Sequence, residues 1–537
     1  MFCTAWLKER DGSFSPGAVF AVLVSAVFLF RLWYITTFPL SGDEAYHWEW
    51  SRHLAGGYYD HPPMTAYFIW LSTRLFGISN EFTVRLPALV SLTVSAVVIY
   101  FLARLASVRL GRSRAEAALA GFAAGSLMLF VPVYAVFSVY MSTDPPLILF
   151  WALTLFLLFR GIIDRRLCFW AGAGLCMGLA LQSKFLAAFL PLGALLFCLI
   201  SAPDRKWLVN PCPYVAAALS LLVLAPFLWW NMNHDWATFM FNLVYRQKGD
   251  GFGLQYVPIY IAGQMLALSP GIFIYALYAL FVSLKRGEPE KRRILLYLGC
   301  TALGALLYFS FASFKCRVAP HWVTPAWMGI LAALGILWSR GGRWGSLFSG
   351  KARMFSMALC VFMTIAIHAI LHVPPSWLNF EWSFAGDHDR INVDAHVERF
   401  GWRALGREVS RLRGQMLASA GNDNGIFVMC GSYGFAASVA FYTPEQIQTH
   451  LWGPRRRHGE NYRFWDNFQA YQGQDAIFVA KEDDDINMEA LRRHFARVGE
   501  IIDLPIVVDD IRVRTFYLVP CYGFDGDYPY AEDVGGR

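Results

Sequence analysis

Long apolar runs recur along the first 373 positions of this chain, each near the roughly 20 residues that cross about 30 Å of hydrocarbon. Eleven spans are expected, over 17–38, 84–107, 115–138, 145–163, 167–182, 185–202, 212–231, 258–283, 293–312, 320–338 and 354–373. The fifth and sixth are nearly continuous, divided at Gln182-Ser183-Lys184. Beyond residue 373 the pattern changes: charge rises, helix-length apolar runs vanish and short strands appear. Ile426–Met429 and Ala476–Val479 read as buried strands. Ile506–Val508 and Val513–Val519, separated by Asp509-Asp510, read as a hairpin. Amphipathic helices are expected near 394–418 and 486–497, and the tail after Tyr522, rich in Gly, Asp and Pro, reads as disordered.

The fold class is therefore a polytopic α-helical membrane domain over 1–373, followed by an α/β domain over 374–537 large enough to hold its own core. A loop over 39–83 has room for short helices lying along the membrane surface, where Tyr46, Trp48, Trp50, Tyr58 and Tyr59 suit the headgroup level. The first span is too long for a signal peptide and lacks a small-residue cleavage site, so it reads as an anchor.

Composition agrees. Hydrophobic residues make up 56% of the chain and charged ones 16%, against about 25% charged in a soluble protein. The net charge of +7 does not point to nucleic acid, because the basic residues cluster in short loops between spans. Alternate loops carry them: Arg109, Arg112 and Arg114; Arg160, Arg165 and Arg166; Arg205 and Lys206; Lys285 through Arg293; Arg340 through Arg353. By the positive-inside bias these loops are cytoplasmic, so loops 39–83, 139–144, 232–257 and 313–319, the Lys184 boundary and the C-terminal domain are expected on the outer face of an inner membrane, in the periplasm. A disulfide between Cys430 and Cys521 is permitted there, and the remaining cysteines in or beside spans read as small core residues. No internal repeat of the transporter kind is evident.

Titratable groups gather on that outer side. Asp43 and Glu44 follow the first span, and Tyr59, Asp60 and His61 precede Pro62-Pro63 in the same loop. Asp144 lies in Ser142-Thr143-Asp144-Pro145-Pro146, and Lys184 divides two spans. Arg246 and Lys248, then Lys315, Arg317 and His321, complete the set. Carboxylates beside cations at a membrane surface fit transfer of a group from a lipid phosphate to a hydroxyl. The acceptor alcohol needs a base or orienting carboxylate, and the departing phosphate needs cations to hold its growing charge.

On these motifs the chain resembles the GT-C glycosyltransferases, in the superfamily of protein O-mannosyltransferases and the lipid A aminoarabinose transferase. Asp43-Glu44 after the first span, Ser142–Pro146 before the fourth, and Gly178–Lys184 carry the resemblance over residues 17–338. The variant Asp43–Tyr46 with Tyr58–Pro63 is most like rhizobial-type lipopolysaccharide galacturonosyltransferases. The resemblance implies an inverting transferase using a polyprenyl-phosphate sugar, with lipid A or lipopolysaccharide core as acceptor. It assigns catalysis to Asp43, Glu44 and Asp144, donor phosphate binding to His61, Lys184, Arg246, Lys315 and Arg317, and substrate contacts to Tyr59, Asp60 and His321. Asp60-His61-Pro62-Pro63 stands where the aminoarabinose transferase has Glu-Lys-Pro-Pro, so a histidine that is only partly charged near neutral pH replaces a lysine. No cofactor is required, and a divalent metal at Asp43, Asp60 and His61, with Asp144, is an open alternative.

Each residue also has a plainer reading. Asp43, Glu44 or Asp144 could cap a helix, Lys184 could snorkel, and Arg246, Lys248, Lys315 and Arg317 could meet lipid headgroups. His47, Trp48 and Trp50 read as packing or interface anchors, Arg455–His458 as a solvated loop, and Tyr462, Trp465 and Phe468 as core. Rival functions are glycosylation of secreted proteins, a lipid-sugar flippase and a non-catalytic assembly factor. The flippase predicts charges near mid-membrane and cytoplasmic gating motifs instead of acids at one surface.

Overall fold

The computed structural model describes residues 15–245, 251–285, 289–339, 350–370, 372–373, 399–420, 425–453, 459, 461–482, 485–508 and 510–527. Among the site candidates, Arg246 and Lys248 lie outside these residues, as does the Arg455–His458 cluster. The chain folds as two compact units. The first holds Met1–Thr36, His61–Phe239 and Arg246–Ala369; the second holds Thr37–Asp60, Met240–Tyr245 and Ile370–Arg537.

The first unit is helical. Its elements are α1 (Pro16–Tyr34), α3 (Met64–Phe76), α4 (Glu81–Arg109), α5 (Arg114–Phe130), α6 (Pro132–Phe137), α7 (Asp144–Ile162), α8 (Cys168–Leu181), α9 (Phe189–Ile200), α10 (Pro211–Met232), α11 (Ala237–Met240, its end shared with the second unit), α12 (Val257–Leu268), α13 (Pro270–Leu284), α14 (Pro289–Ala312), α15 (Thr324–Trp338) and α16 (Gly350–Ile370). Among the described residues seven helices are long and apolar enough to cross a membrane, and α12 with α13 makes an eighth if the bent pair is one span. This is a multi-pass membrane protein.

Helices occupy all eleven expected spans, but four differ from a full crossing. Span 115–138 breaks at Val131-Pro132 into α5 and α6. Span 167–182 is the 14-residue α8, and span 185–202 opens with a 3₁₀ turn, Phe185–Ala188, before the 12-residue α9. At 1.5 Å per residue, α8 and α9 are only about 21 and 18 Å long. Span 258–283 bends by 101° between α12 and α13. Pro270 has no N–H to give and disfavours helical backbone before it, and Ser269 takes φ 69°.

Close helix contact rests on small residues. Gly174 and Gly178 of α8 face α10 at the spacing that lets membrane helices approach. A Cβ on Gly174 would stand 2.4 Å from the Ala216 oxygen, and one on Gly178 would stand 2.8 Å from that of Ser220. Buried charges are tied to backbone or to each other. Arg31 donates to Leu129 O at 2.7 Å, Arg85 to Ile35 O at 3.1 Å, and Arg293 grips both oxygens of Asp204.

The second unit carries a mixed sheet from β1 (Ile426–Cys430), β2 (Thr449–Leu451), β3 (Asp475–Ala480), β4 (Phe495–Val498), β5 (Ile502–Val508) and β6 (Ile511–Phe524). The order is β2-β1-β3-β6-β4, with β5 also on β6. β1 runs parallel to β2 and β3, whereas β6 runs antiparallel to β3, β4 and β5. The expected strands and hairpin are present. The helix expected at 394–418 is Trp402–Ala420 among the described residues. The one expected at 486–497 ends at His494, where the chain turns into β4. The expected tail is also shorter, because β6 runs on to Phe524, paired with Phe495. Cys430 and Cys521 are free. They sit on β1 and β6 with β3 between them, opposite Val479 and Ala476. Two strand spacings are about 9.6 Å, beyond disulfide reach.

The first loop contributes α2 (Gly42–Arg52) to this second unit. Ser41 and Glu44 form its capping box: the Ser41 hydroxyl accepts the Glu44 N–H, and Glu44 Oε2 accepts the Ser41 N–H. Gly42 lies against Gly434, where a Cβ would come within 3.2 Å of the opposing Cα. The rings expected at a membrane surface are core instead. Trp48, Trp50 and Tyr58 are almost wholly buried, Trp48 meeting Phe441 edge-on at 5.0 Å and Trp50 stacking on Tyr58 at 4.5 Å.

Glu49 is buried in the same helix and paired with Arg52 at 3.2 Å. Burial, with help from nearby Asp466, pushes its carboxyl up to about 7 despite Arg52. His53 is held down to about 4, first by burial and then by Arg52 and His450.

Two outcomes are expected. A folded-state carboxyl raised above its ordinary 4.5 lowers stability as pH rises from about 4.5 to 7, and His53 acts oppositely below about 6.5 in any variant keeping it. Thermal unfolding of wild type against Glu49→Gln at pH 5 and pH 8 should show the variant gaining on the order of 3 kcal/mol relative to wild type. Gly178→Ala should cost about 1–3 kcal/mol by separating α8 from α10, read as a lower unfolding temperature in detergent.

Candidate active site

In the first unit three turns meet. Pro62-Pro63 leads into α3, and the Met64 N–H donates to Gln182 O at 3.1 Å, two residues before Lys184. The Thr65 hydroxyl donates to Ser142 O at 3.3 Å, two residues before Asp144. His61, three residues before Met64, is half-buried at this junction. Lys184 sits in extended backbone between α8 and the 3₁₀ turn. Its Nζ donates to both oxygens of Asp144 at 3.0 Å.

Asp144 is the first residue of α7. Pro145 and Pro146 follow where a helix needs no N–H donor, and Thr143 rather than Asp144 occupies the N-cap. The Asp144 side chain is 4% exposed and that of Lys184 13%. A pair so placed is costly to desolvate and holds only because both partners are present. It places an ammonium and a carboxylate together at a helix boundary.

The second unit holds the other acids. Asp43 is exposed on the first turn of α2, and the Tyr433 hydroxyl donates to its Oδ1 at 3.0 Å. Burial and the neighbouring Asp43 push the Tyr433 phenol well up, so it stays a donor. Asp60 is buried, with Tyr46 OH donating to Oδ2 at 3.2 Å and Asn242 donating to its carbonyl at 2.8 Å. Asn461 holds this network: its amide donates to Tyr46 OH at 2.7 Å, and its oxygen accepts the Tyr59 N–H at 2.8 Å. Tyr462 stacks on Tyr46 at 6.1 Å.

The expected residues therefore divide. Asp144 and Lys184 meet, with His61 in the same set of turns. Asp43, Tyr59 and Asp60 belong to the second unit. Glu44 is buried with its carboxylate on the helix cap, so the geometry gives it a structural part. Lys315 and Arg317 are exposed, with the Lys315 ammonium 5.4 Å from the Phe311 ring centroid. His321 packs edge-on against Phe137 at 5.7 Å. No group of three or more His, Cys, Asp or Glu able to hold a metal is found among the described residues.

Tyr433, Asn461 and Asn242 were not legible as site residues. They reach α2 and Asp60 from positions far along the chain, and no spacing rule connects them.

The model of the dolichyl-phosphate-mannose-protein mannosyltransferase family matches residues 60–230. The lipid A galacturonosyltransferase RgtD of Rhizobium johnstonii is 28% identical over 71% of this chain and 73% of its own length. The undecaprenyl phosphate-alpha-4-amino-4-deoxy-L-arabinose arabinosyl transferase 2 of Proteus mirabilis is 27% identical over 66% of this chain and 67% of its own. The crystal structure of ArnT from Cupriavidus metallidurans bound to undecaprenyl phosphate has the same fold, with a TM-score of 0.61 and 15% identity over 93% of this chain and 97% of that one. Together with the helical bundle and the C-terminal sheet, the structural likeness shows a GT-C fold, and the family model and the two relatives support a glycosyltransferase similar to the lipid A-modifying transferases.

Proposed function

We propose that this enzyme moves one sugar from a polyprenyl-phosphate donor to a hydroxyl of lipid A, at the periplasmic face of an inner membrane. The observation that carries the reading is the buried Asp144–Lys184 pair, set among the Pro62–Thr65 and Ser142–Asp144 turns at the ends of apolar helices. The named relatives support the substrate class, since one is a lipid A galacturonosyltransferase and the other an undecaprenyl-phosphate aminoarabinose transferase. The concentration of basic residues in alternate loops, and so on one side of the membrane, supports the orientation.

In this reading Lys184 donates charge-assisted hydrogen bonds to the donor phosphate, and Asp144 keeps its ammonium aimed. His61 adds a donor beside it when protonated. Asp43 orients the acceptor hydroxyl and takes its proton while the Tyr433 phenol fixes the carboxylate. The acceptor oxygen bonds to the sugar's anomeric carbon as the carbon–oxygen bond to phosphate breaks. Attack opposite the phosphate inverts the anomeric centre and leaves polyprenyl phosphate. Tyr46, Asn461 and Asp60 brace the segment between α2 and His61.

Mass spectrometry of intact lipid A and lipopolysaccharide from a deletion strain tests this directly. Loss of one sugar mass, restored by wild type but not by equally expressed Asp43→Asn, is expected; an unchanged profile in the deletion would overturn the acceptor assignment. With purified protein, Asp43→Asn should lower turnover by about 10²–10⁴. Lys184→Ala should lower it by about 10²–10³. Tyr433→Phe, losing one hydrogen bond to Asp43, should cost about tenfold in kcat with little change in KM for the donor.

A further inference from the structure

The first unit holds an apolar cavity whose lining runs from Trp170 and Trp207 at one end to Leu181 on the side of Lys184. A cavity of about 430 Å³ runs between α7, α8, α9, α10 and the 3₁₀ turn Ala202–Leu208. Its walls are apolar, and the hydroxyl of Thr154 that borders it is bonded to Phe150 O of its own helix. Leu195 and Leu221, on the rims of α9 and α10, are both about half exposed, so the cavity is open sideways where a bilayer would lie. An occupant entering there is a hydrocarbon chain.

One end of the cavity says what head that chain carries. Trp170 and Trp207 line it, their ring centroids 5.1 Å apart, and this contact brings together the loop between α7 and α8 and the turn Ala202–Leu208. Those two segments expose Arg165, Arg166, Arg205 and Lys206. The acids beside them are engaged elsewhere: Asp164 by Arg109 and Arg160, and Asp204 by Arg293. The local charge is therefore strongly positive. Tyr214, exposed beside this end and donating to Leu208 O, stands where an amphipathic ring sits at headgroup level. Asp144 opens α7 and this loop follows its far end, about 28 Å along the helix.

We propose that this cavity holds one acyl chain of an anionic glycerophospholipid from the leaflet opposite the donor phosphate, with the phosphate at Arg165, Arg166, Arg205 and Lys206. Basic pockets between membrane helices recognise anionic headgroups by this combination. The lipid fills the space between α8, α9 and α10, two of which are too short to cross hydrocarbon unaided.

Native mass spectrometry of the full-length protein in detergent, with dioleoyl phosphatidylglycerol or dioleoyl phosphatidylcholine added, is the test. Wild type should retain one phosphatidylglycerol at least tenfold more tightly than phosphatidylcholine. Arg166→Ala with Lys206→Ala should abolish that preference, and Ala217→Trp, which fills the cavity from an exposed wall, should remove the bound lipid. Lys184→Ala should leave retention unchanged, so failure here is distinct from failure of the transferase reading. Equal retention of both phospholipids, or displacement of phosphatidylglycerol from wild type by equimolar undecaprenyl phosphate that itself fails to bind Ala217→Trp, would overturn the proposal; the second result would give the cavity to the donor tail.

Discussion

A lysine and an aspartate at the ends of apolar helices have few places to put their charge. Lys184 and Asp144 solve this by chelation, and the first unit is arranged around that solution. Without a partner, either group would be buried at a cost of several kcal/mol, so the turns carrying them are pinned to one another. The Pro62–Thr65 turn is tied to both by backbone-directed hydrogen bonds. Three stretches separated by tens to over a hundred residues thus become one surface.

The second unit meets a different constraint. Its helix α2 has a polar sequence yet is buried along most of its length, with Glu44, His47 and Glu49 inside. Burying polar groups is tolerable only when they are hydrogen-bonded. Glu44 satisfies a helix end, Glu49 takes Arg52, and Tyr46 takes Asp60 and Asn461. Asp43 is the acid of this helix left at the surface, held by a phenol from the helix Tyr433–Tyr442. An acid exposed and fixed in direction is the arrangement that the proposed orientation of an acceptor hydroxyl requires.

The short helices and the broken one follow from the same economy of hydrogen bonds. A membrane helix can stop short or bend only where its freed backbone groups find partners in the protein. Gln182 bonds to Val223 O beside the end of α8, and Gln264 links α12 to Pro320 O while accepting from Trp327. Glycines let α8 and α10 close enough for such links.

The spans, the hairpin, the buried strands and the acids of the first loop were legible in the sequence, because periodicity and apolar length are local properties. Ser142–Pro146 and Lys184 stood out for a similar reason: charge and proline between apolar runs are conspicuous wherever they occur. The sequence by itself did not show that Lys184 and Asp144 pair, that Glu44 caps while Asp43 is presented, or that Trp48 and Trp50 are core rather than interface rings. Nor did it show that Cys430 and Cys521 are kept apart by β3. Those outcomes depend on which distant groups share a neighbourhood, and only packing decides that. Local chemistry set what each residue could do; tertiary structure chose the partner that determines what it does.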